Sequence, residues 1–334
     1  LVMQLPAISA LKKEHPNWRI TLWVAPRGTR ELAQAQPYID EVIEMPIRSG
    51  AIQHLKNIFL LRKKSFSIGI VLSPGQLLKS AAYLFFAGIP VRIGNLYPFR
   101  KNTDSSFFLT NAIPEKSSLH DIEQNIALLS PICKTLPTID HYQIYIPDQN
   151  KKGADTLLSK KYTYIGIHAG SAKGFEWKRW PIDRFASVAQ QLFLQNSTRR
   201  FGIFGSHNEQ YGKQQLVEEI NNACGATVAF NITAPLMTTA AAIQKCSLFI
   251  SNDSGLMHIA SAVGTPTIGL FGPTDERHTG PRGINSMVVR APDTKPIYNT
   301  EKIHSLGKEP HASMLAISPE MVLSAVDSLY NTLV

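Results

Sequence analysis

The fold is decided by a ten-residue stretch in the second half of the chain, Phe249-Ile250-Ser251-Asn252-Asp253-Ser254-Gly255-Leu256-Met257-His258. An apolar strand ends at Ser251, and the three polar residues after it are of the types that cap helices. The helix that follows begins with free backbone N–H groups, and Gly255 lets a ligand approach them closely. Since the positive end of a helix favours anions, the stretch predicts a diphosphate site, although an ordinary capped helix with a core histidine at His258 fits it equally well.

Strands and helices alternate on both sides of this stretch. The periodicity predicts strands at Tyr162–His168, Phe201–Gly205, Leu248–Ile250 and Thr267–Phe271, with helices at Ile182–Gln195, Asn208–Asn221, Thr239–Lys245 and Ser254–Val263. In the first half it predicts strands at Ile20–Val24, Glu41–Met45 and Ser67–Leu72, with helices at Pro6–His15, Arg27–Gln34, Ala51–Arg62, Gly75–Phe86 and about Leu119–Leu129. Such alternation is typical of parallel-sheet α/β domains, whose ligands bind at the carboxyl ends of the strands.

The length of 334 residues allows two such domains, at roughly 150 residues each. The proline-rich stretch Pro131–Lys161 is the best linker candidate. We therefore expect domains at residues 1–150 and 151–317, followed by a C-terminal helix at 318–334. The first domain begins on a helix, whereas a doubly wound domain normally begins on a strand. For that reason we expect that further residues precede Leu1 in the intact protein.

Composition indicates the kind of partner and the cellular compartment of the protein. Lys and Arg outnumber Asp and Glu by 34 to 25, and the resulting net charge of +9 favours anionic partners. The longest apolar candidate, Ala81–Ile89, is far shorter than the roughly 20 residues of a membrane-spanning helix. The three cysteines have no Cys-x-x-Cys spacing, and we interpret them as buried apolar residues of a protein from a reducing compartment.

Two further strand ends in the second half carry candidate binding residues. In the turn Gly272-Pro273-Thr274-Asp275, the Thr274 hydroxyl can bind phosphate or ribose, unless the turn uses it for its own backbone. Glu209 follows the strand that ends at Gly205 and can accept hydrogen bonds from ribose hydroxyls. Capping by Ser206 or Asn208 explains that segment as well.

A third strand end, at His168, leads into a loop of small residues and then into a group of cations. Lys178 and Arg179 in this group can neutralise a leaving diphosphate, and a solvated charged surface is the alternative. Metal chemistry is disfavoured, because no two of the Asp residues form an Asp-x-Asp pattern and no His or Cys cluster has metal-ligand spacing. We therefore expect a site that uses neither a metal nor a cofactor. The dinucleotide-binding and P-loop glycine motifs are absent too.

An ordered set of short segments runs over nearly the whole chain. These are Leu5-Pro6-Ala7, Tyr38-Ile39-Asp40-Glu41-Val42, Gly170-Ser171, Lys178-Arg179-Trp180-Pro181, Asp253-Ser254-Gly255-Leu256-Met257-His258, Gly264-Thr265-Pro266, Phe271-Gly272-Pro273-Thr274-Asp275 and Ile317-Ser318-Pro319-Glu320. Each segment is only moderately specific, but the ordered set is specific. It resembles glycosyltransferase family 9, the ADP-heptose:lipopolysaccharide heptosyltransferases.

The resemblance implies a GT-B fold, in which two Rossmann-like parallel-sheet domains face a cleft. It implies an inverting, metal-independent transfer of heptose from ADP-L-glycero-D-manno-heptose to the lipopolysaccharide inner core, either Kdo-lipid A or heptosyl-Kdo-lipid A. The enzyme would be cytoplasmic, peripherally associated with the inner membrane and without a nucleic-acid partner. The N-terminal domain would bind the acidic acceptor, with help from basic residues that include Arg27, Arg30, Arg62, Lys63, Lys64, Arg92 and Arg100.

Carried over by position, the resemblance assigns the donor to the C-terminal domain. Lys178 would stabilise charge on the diphosphate as the sugar–phosphate bond breaks. The other donor-binding residues would be Ser171, Glu209, Asp253, Ser254, Gly255, Met257, His258 and Thr274. The general base of the family is an aspartate that would fall ahead of Leu1, so we expect the chain as given to be inactive or nearly so.

Two other functions remain open on the sequence alone. The chain can be a glycosyltransferase of the same fold with another nucleotide-sugar or acceptor, because no residue identifies adenine or heptose. It can also be a non-catalytic protein that binds a nucleotide-sugar. A nucleic-acid binder is suggested by the net charge only, since the sequence has no recognised nucleic-acid motif and no aromatics interleaved on a basic stripe.

Overall fold

The computed structural model describes residues 1–25, 29–45, 50–73, 77–96, 106–139, 142–297 and 306–332. The chain divides into two compact units, the first comprising Met3–Ile139 and the second Asp140–Val334. Both units combine helices with parallel strands. The predicted α/β class is therefore confirmed.

The first unit alternates helices and strands from its start. Its elements are α1 (Leu5–Glu14), β1 (Thr21–Val24), α2 (Thr29–Ala35), β2 (Glu41–Glu44), α3 (Ala51–Lys63), β3 (Ile68–Val71), α4 (Leu77–Phe86), β4 (Val91–Leu96), β5 (Asn111–Pro114) and α5 (Asp121–Ala127). Pro6 lies in the first turn of α1, where its missing N–H leaves no helical hydrogen bond unmade. The strands form two parallel sheets, β1-β2 and β3-β4-β5.

The core of the first unit lies where α4 packs on β3 and β4. Ala81 of α4 is completely buried there, in one apolar cluster with Val71 of β3 and Leu84 of α4. Gly69 of β3 makes this packing possible, because a Cβ at that position would lie 2.8 Å from the Leu84 side chain. A cavity of about 720 Å³ is lined by side chains of α1, β1 and β3, among them Ile8 and Ile70.

The second unit is built on a single larger sheet. Its elements are α6 (Asp148–Leu157), β6 (Thr163–His168), α7 (Ile182–Gln195), β7 (Arg199–Phe204), α8 (Gln210–Cys224), β8 (Ala229–Ile232), α9 (Leu236–Gln244), β9 (Leu248–Asn252), α10 (Gly255–Ala262), β10 (Thr267–Leu270), α11 (Glu276–Thr279), β11 (Ser286–Val289), α12 (Ala312–Leu315) and α13 (Pro319–Thr332). All six strands are parallel, in the order β11-β10-β9-β6-β7-β8. The chain therefore crosses from one side of β6 to the other, which is the arrangement of a doubly wound sheet.

Strands β9 and β10 are buried along their whole length, as expected for a parallel sheet covered by helices. The apolar stripe of α7, which includes Phe185, Val188 and Leu192, is one of the faces that cover it. Gly166 of β6 leaves room for a neighbouring ring, because a Cβ there would lie 2.4 Å from Phe249. The central strands are thereby held in fixed positions, with their carboxyl ends at one edge of the sheet.

Most predicted elements are confirmed, with ends that differ by at most three residues. Ser254 caps α10 rather than forming its first residue. The predicted helices that start at Arg27 and Gly75 are observed from Thr29 and Leu77, because 26–28 and 74–76 lie outside the described residues.

Two expectations from the sequence need correction. Of the three cysteines that we expected to be buried, Cys246 is buried but Cys133 and Cys224 are only partly buried. The linker expected at Pro131–Lys161 contains a helix, α6, which packs on α9 through a hydrogen bond of 3.0 Å from Asn150 Nδ2 to Thr238 Oγ1. The strands β4, β5, β8 and β11 were not predicted, because they are short and interrupted by polar residues such as Asn95 and Asn231. Pairing with neighbouring strands, rather than local propensity, forms them. No helix in the described ranges combines the length and the apolar character that crossing a bilayer requires.

Candidate functional site

Four segments of the second unit follow neighbouring strands and lie at the same edge of the sheet. The strand order places β10, β9, β6 and β7 side by side, and all of them are parallel. Their carboxyl ends lead respectively to Thr274, Asp253, Lys178 and Glu209. The fold therefore brings together segments that are up to about a hundred residues apart, and most of the predicted donor residues lie on them.

The start of α10 has the cap that the sequence predicts. Ser254 has an extended backbone, and its hydroxyl accepts a hydrogen bond of 3.4 Å from the Met257 N–H. A Cβ at Gly255 would meet no atom within 4 Å, so the backbone at this helix end borders open space. The first turn of α10 is thus accessible to an anion.

Lys178 and Asp253 form an ion pair beside the cap. Lys178 ends a short 3-10 helix (Glu176–Lys178), and its Nζ donates to Asp253 Oδ2 at 3.0 Å. Both side chains are largely buried, with 14% and 9% of their surface exposed. An ammonium has three N–H donors, so further acceptors can bind Lys178 while the pair stays intact. The sequence singled out both residues, but it gave no sign that they would pair.

His168 links two of the predicted donor residues. Its Nδ1 lies 2.9 Å from Ser254 Oγ, and its Nε2 lies 3.1 Å from Glu209 Oε1. Ser251 extends the chain of contacts, since its hydroxyl lies 3.0 Å from that of Ser254. In the sequence, His168 is recognisable only as the end of a strand. Its partners are 86 and 41 positions away, and the end of a buried strand was the only signal that marked it.

Glu209 is held as an ionised carboxylate. Burial opposes its ionisation, but hydrogen bonding and attraction from His168, together with the hydroxyl and amide of Ser206, lower its pKa to about 2. Gly170 makes this contact possible, because a Cβ there would lie 1.8 Å from Glu209 Oε1. Glu209 therefore closes a capping box with Ser206 and also presents a charged acceptor at the edge of the sheet. The capping and the binding interpretation are compatible.

The loop between β6 and α7 is tied to the end of β9. Asn252 Nδ2 donates to the Ala169 carbonyl at 2.7 Å, and Asn252 Oδ1 accepts from the Trp180 N–H at 3.0 Å. Within the loop, Ser171 Oγ donates to the Phe175 carbonyl and accepts from Arg179 Nε, both at 2.9 Å. Ser171 thus holds the shape of the loop that carries Lys178. Asn252, which the sequence analysis treated only as a capping type, fixes the same loop.

Thr274 lies buried in the turn after β10, with 7% of its surface exposed. Its Oγ1 has no hydrogen-bond partner in the part of the chain that the structure describes. The neighbouring Asp275 instead caps α11, because its carboxylate accepts from the Arg277 N–H at 3.0 Å. The turn therefore uses Asp275 for its own backbone and leaves the Thr274 hydroxyl available.

Two predicted donor residues have side chains in the core. Met257 is completely buried, and its Sδ lies 2.7 Å from where a Cβ of Gly269 would be. His258 is 8% exposed within α10.

Lys213 of α8 was not singled out from the sequence, although its ammonium is buried beside the end of β7. Its Nζ donates to Thr233 Oγ1 and to the Gly205 carbonyl, and desolvation lowers its pKa. Within the described ranges, no three His, Cys, Asp or Glu side chains form a group that could hold a metal ion.

Comparison with known proteins identifies relatives over almost the whole chain. Residues 56–309 match the family model of glycosyltransferase family 9 (heptosyltransferase). A lipooligosaccharide heptosyltransferase 2 of Haemophilus influenzae is 30% identical, with 98% of this chain and 95% of that protein covered. A lipopolysaccharide heptosyltransferase 2 of Escherichia coli is 26% identical, with 98% and 94% covered.

Solved structures share the fold. The structure of an E. coli ADP-heptose LPS heptosyltransferase II is similar with a TM-score of 0.77 and 25% identity, covering 98% of this chain and 94% of that one. A family 9 glycosyl transferase from Veillonella parvula has a TM-score of 0.81 at 24% identity, with coverages of 98% and 93%. The expected GT-B fold is therefore confirmed.

Proposed function

This chain belongs to glycosyltransferase family 9, the heptosyltransferases, and from that premise we propose that it transfers heptose from ADP-L-glycero-D-manno-heptose to the lipopolysaccharide inner core. Its relatives are lipopolysaccharide and lipooligosaccharide heptosyltransferases, so the chain is a glycosyltransferase of core biosynthesis. The donor, the acceptor, the stereochemistry and the residue roles given below are our proposal.

One observation carries the assignment of the donor to the second unit. A largely buried lysine, an open helix N-terminus and a buried hydroxyl that has no partner among the described residues lie at one edge of the sheet. We assign the diphosphate to Lys178, whose ammonium is largely buried, and to the first turn of α10, whose free N–H groups carry partial positive charge. Asp253 orients Lys178 through their ion pair and leaves two of its N–H donors for phosphate oxygens.

The nucleoside is assigned to the two flanking strand ends. The Thr274 hydroxyl can donate to an oxygen of phosphate or ribose, which satisfies a buried group that makes no hydrogen bond within the described part of the chain. Glu209 is ionised and therefore can only accept, which suits the hydroxyl donors of a ribose. His168 positions Glu209 and is itself held by Ser254, while Ser171 holds the loop that carries Lys178.

The proposed reaction is a single displacement with inversion. The acceptor hydroxyl attacks the anomeric carbon on the face opposite ADP, its proton passes to a base, and the bond between the anomeric carbon and the phosphate oxygen breaks. Negative charge grows on the departing diphosphate, where Lys178 and the amides of α10 stabilise it. In other sites a divalent cation stabilises the charge on the leaving group. Here we assign that role to these fixed positive groups, so we propose that no metal is needed.

We assign the acceptor to the first unit and a peripheral membrane location to the enzyme. Arg92 is engaged in structure there, since its Nε donates to the Phe108 carbonyl at 2.7 Å, and Lys64 pairs with Glu41 at 2.5 Å. Arg30 lies 3.6 Å from Glu44. Arg27 and Arg100 lie outside the described residues. Arg62 and Lys63 are exposed and remain the best candidates to face the acidic groups of the acceptor.

An ADP-release assay with the full-length gene product tests the proposal. ADP-heptose is the donor, and Kdo-lipid A and heptosyl-Kdo-lipid A are offered separately as acceptors. We expect ADP release only when donor and acceptor are both present, at a rate that EDTA does not change, and a product with inverted anomeric configuration by NMR. Transfer from a different nucleotide-sugar would contradict the donor assignment. Donor binding without release, on either acceptor, would indicate a non-catalytic binding protein.

A further inference from the structure

Helix α3 exposes a row of large apolar side chains. Ile52 is 73% exposed, Leu55 67% and Phe59 71%. These positions are spaced i, i+3 and i+7, so the three side chains lie on one face of the helix. Water-exposed apolar groups clustered in this way mark interaction sites, whereas single exposed apolar residues need no explanation.

The opposite face of α3 holds the helix on its unit. Asn57 and Leu61 are buried there, and Leu61 belongs to the same apolar cluster as Val71 of β3 and Leu84 of α4. The helix is therefore seated on the first unit through one face, and the apolar row points away from that unit. Packing among the described residues of the unit does not account for the row.

Cations surround the apolar row, and acidic residues are absent from the helix. Lys56, Arg62 and Lys63 are exposed on α3, and none of its thirteen residues is Asp or Glu. Viewed down the helix axis, Lys56 and Lys63 lie next to Ile52 and Phe59. Arg62 lies next to Leu55, on the other side of the apolar row. An apolar face edged with Lys and Arg fits the boundary between headgroups and acyl chains of an anionic bilayer.

We propose that the solvent face of α3, defined by Ile52, Leu55, Phe59, Lys56, Arg62 and Lys63, docks the enzyme on the surface of an anionic membrane. The three apolar side chains enter the headgroup region, and the long cationic side chains bind the lipid phosphates around them. A protein partner would need acidic groups arranged around an apolar groove, whereas an anionic bilayer offers both features at any point of its surface. This inference rests on the proposed function, because a lipid-linked acceptor brings the enzyme to that surface.

Vesicle co-sedimentation tests the proposal. The purified protein is mixed with vesicles of phosphatidylcholine alone or of phosphatidylcholine with phosphatidylglycerol, and the bound fraction is measured against lipid concentration. The apolar variant Ile52→Ser/Leu55→Ser/Phe59→Ser and the charge variant Lys56→Glu are compared with wild type. The matched control is Leu194→Ser/Ile284→Ser, which removes side chains of the second unit that are 70% and 72% exposed.

We expect wild type and the control to bind the anionic vesicles equally, and more tightly than the neutral ones. The apolar variant should bind at least about tenfold more weakly than wild type. Lys56→Glu should weaken binding to the anionic vesicles and leave binding to the neutral vesicles unchanged. Equal binding by wild type and the apolar variant would overturn the proposal, as would equal binding to both kinds of vesicle. Sedimentation velocity adds a further test. If wild type is a dimer and the apolar variant is a monomer, the face binds a second copy of the chain and the proposal is wrong.

A transfer assay with a deacylated, water-soluble acceptor separates this inference from the proposed function. The apolar variant should keep the wild-type rate on the soluble acceptor and lose rate on acceptor embedded in vesicles. If vesicle binding fails while soluble transfer persists, only the docking face is wrong. If the protein binds vesicles through α3 but transfers no heptose to either acceptor, the proposed function is wrong and the docking face stands.

Discussion

Lys178 and Asp253 depend on each other because both are largely buried. Removing one member of such a pair leaves a charge without its partner in a poorly solvated place, which costs more than the pair itself contributes. At this site the loss has a second effect. Without Lys178, the uncompensated carboxylate of Asp253 would repel a diphosphate at the start of α10.

We predict that Lys178→Ala lowers kcat for heptosyl transfer by roughly 10²-fold or more, since charge on the leaving diphosphate is no longer stabilised. The double variant Lys178→Ala/Asp253→Ala should lose less than the two single variants together, because it also removes the repulsive carboxylate. ADP-release kinetics at saturating acceptor measure both effects. Lys173→Ala, at an exposed position of the same loop, is the control and should act as wild type. An unchanged kcat in Lys178→Ala would refute the role.

Thr274 offers a substitution that separates binding from stability. Its hydroxyl is buried and makes no hydrogen bond among the described residues, so Thr274→Val removes a polar atom that the folded chain does not satisfy. We predict an unchanged or slightly increased free energy of unfolding in urea, together with about tenfold weaker binding of ADP by calorimetry. A variant that is destabilised but binds ADP normally would mean that the hydroxyl serves the fold and not the donor.

Glu209 makes stability depend on pH in a defined window. Its pKa is lowered from 4.5 to about 2 by His168 and Ser206 against the effect of burial, so the ionised form favours the folded state. The contribution is complete above pH 4.5 and is lost as the pH falls towards 2. It is at most about 3 kcal/mol.

We therefore predict that wild type loses unfolding free energy between pH 4.5 and 2.5, and that Glu209→Gln loses less over the same range. Urea titrations at a series of pH values measure this difference. Glu219→Gln, at an exposed position of α8, is the control and should follow wild type. Parallel curves for wild type and Glu209→Gln would contradict the assigned pKa.

At the scale of elements, the position of α10 is set by its packing against β10. Gly269 lies directly under Met257, where a Cβ would be 2.7 Å from the Met257 Sδ and 3.0 Å from the Phe271 ring. A side chain at Gly269 would have to displace the Met257 side chain, which belongs to the helix whose first turn we assign to the diphosphate. Sheet packing and donor binding are therefore coupled through this glycine.

We predict that Gly269→Ala lowers the free energy of unfolding by about 1–3 kcal/mol through overpacking and weakens ADP binding as well. Gly212→Ala makes the same substitution within α8, where a Cβ would meet no atom within 4 Å. There the better helix propensity of Ala should raise stability by up to about 1 kcal/mol and leave ADP binding unchanged. Urea unfolding and calorimetry on both variants test the prediction. Equal changes in unfolding free energy and in ADP affinity at the two positions would contradict it.

The elements that the sequence predicted well are those whose local signals agree with their packing. In α7 the apolar spacing of Phe185, Val188 and Leu192 matches the face that is buried, so the bounds Ile182–Gln195 were predicted correctly. The failures are segments whose signals conflict. Prolines such as Pro147 indicated a linker, yet Pro147 only precedes the first turn of α6, and Gly153 within that helix allows close packing on Thr238.

The candidate site could be predicted only in so far as its residues share a segment. The capped helix start at Ser254 is local, and the sequence showed it. The Lys178–Asp253 pair joins residues 75 positions apart, and the contacts of His168 depend on the order of the sheet. Whether a side chain is buried is equally non-local, so the burial of the Met257 side chain in the core could not be predicted from its own segment.

At the scale of the whole molecule, the two units differ in the chemistry that they offer. The residues that we assign to the donor all belong to the second unit, whereas the apolar face of α3 with its flanking cations belongs to the first. A nucleotide-sugar and a lipid-linked acceptor differ in the same way, since one is a compact anion and the other sits in a bilayer. The division of the chain thus suits an enzyme that binds two dissimilar substrates.

This division predicts where ADP alone should act. Binding to the second unit should slow amide hydrogen exchange in 168–180, 205–210, 253–257 and 272–276, because ligand binding stabilises the conformation that binds it. Amides of the first unit, including those of α3, should exchange at their ligand-free rates. Hydrogen exchange by mass spectrometry with and without ADP measures both, and Lys178→Ala provides a control that should lose most of the protection. Protection confined to the first unit, or spread evenly over both, would contradict the donor assignment, because no residue of the first unit contributes to the proposed ADP site.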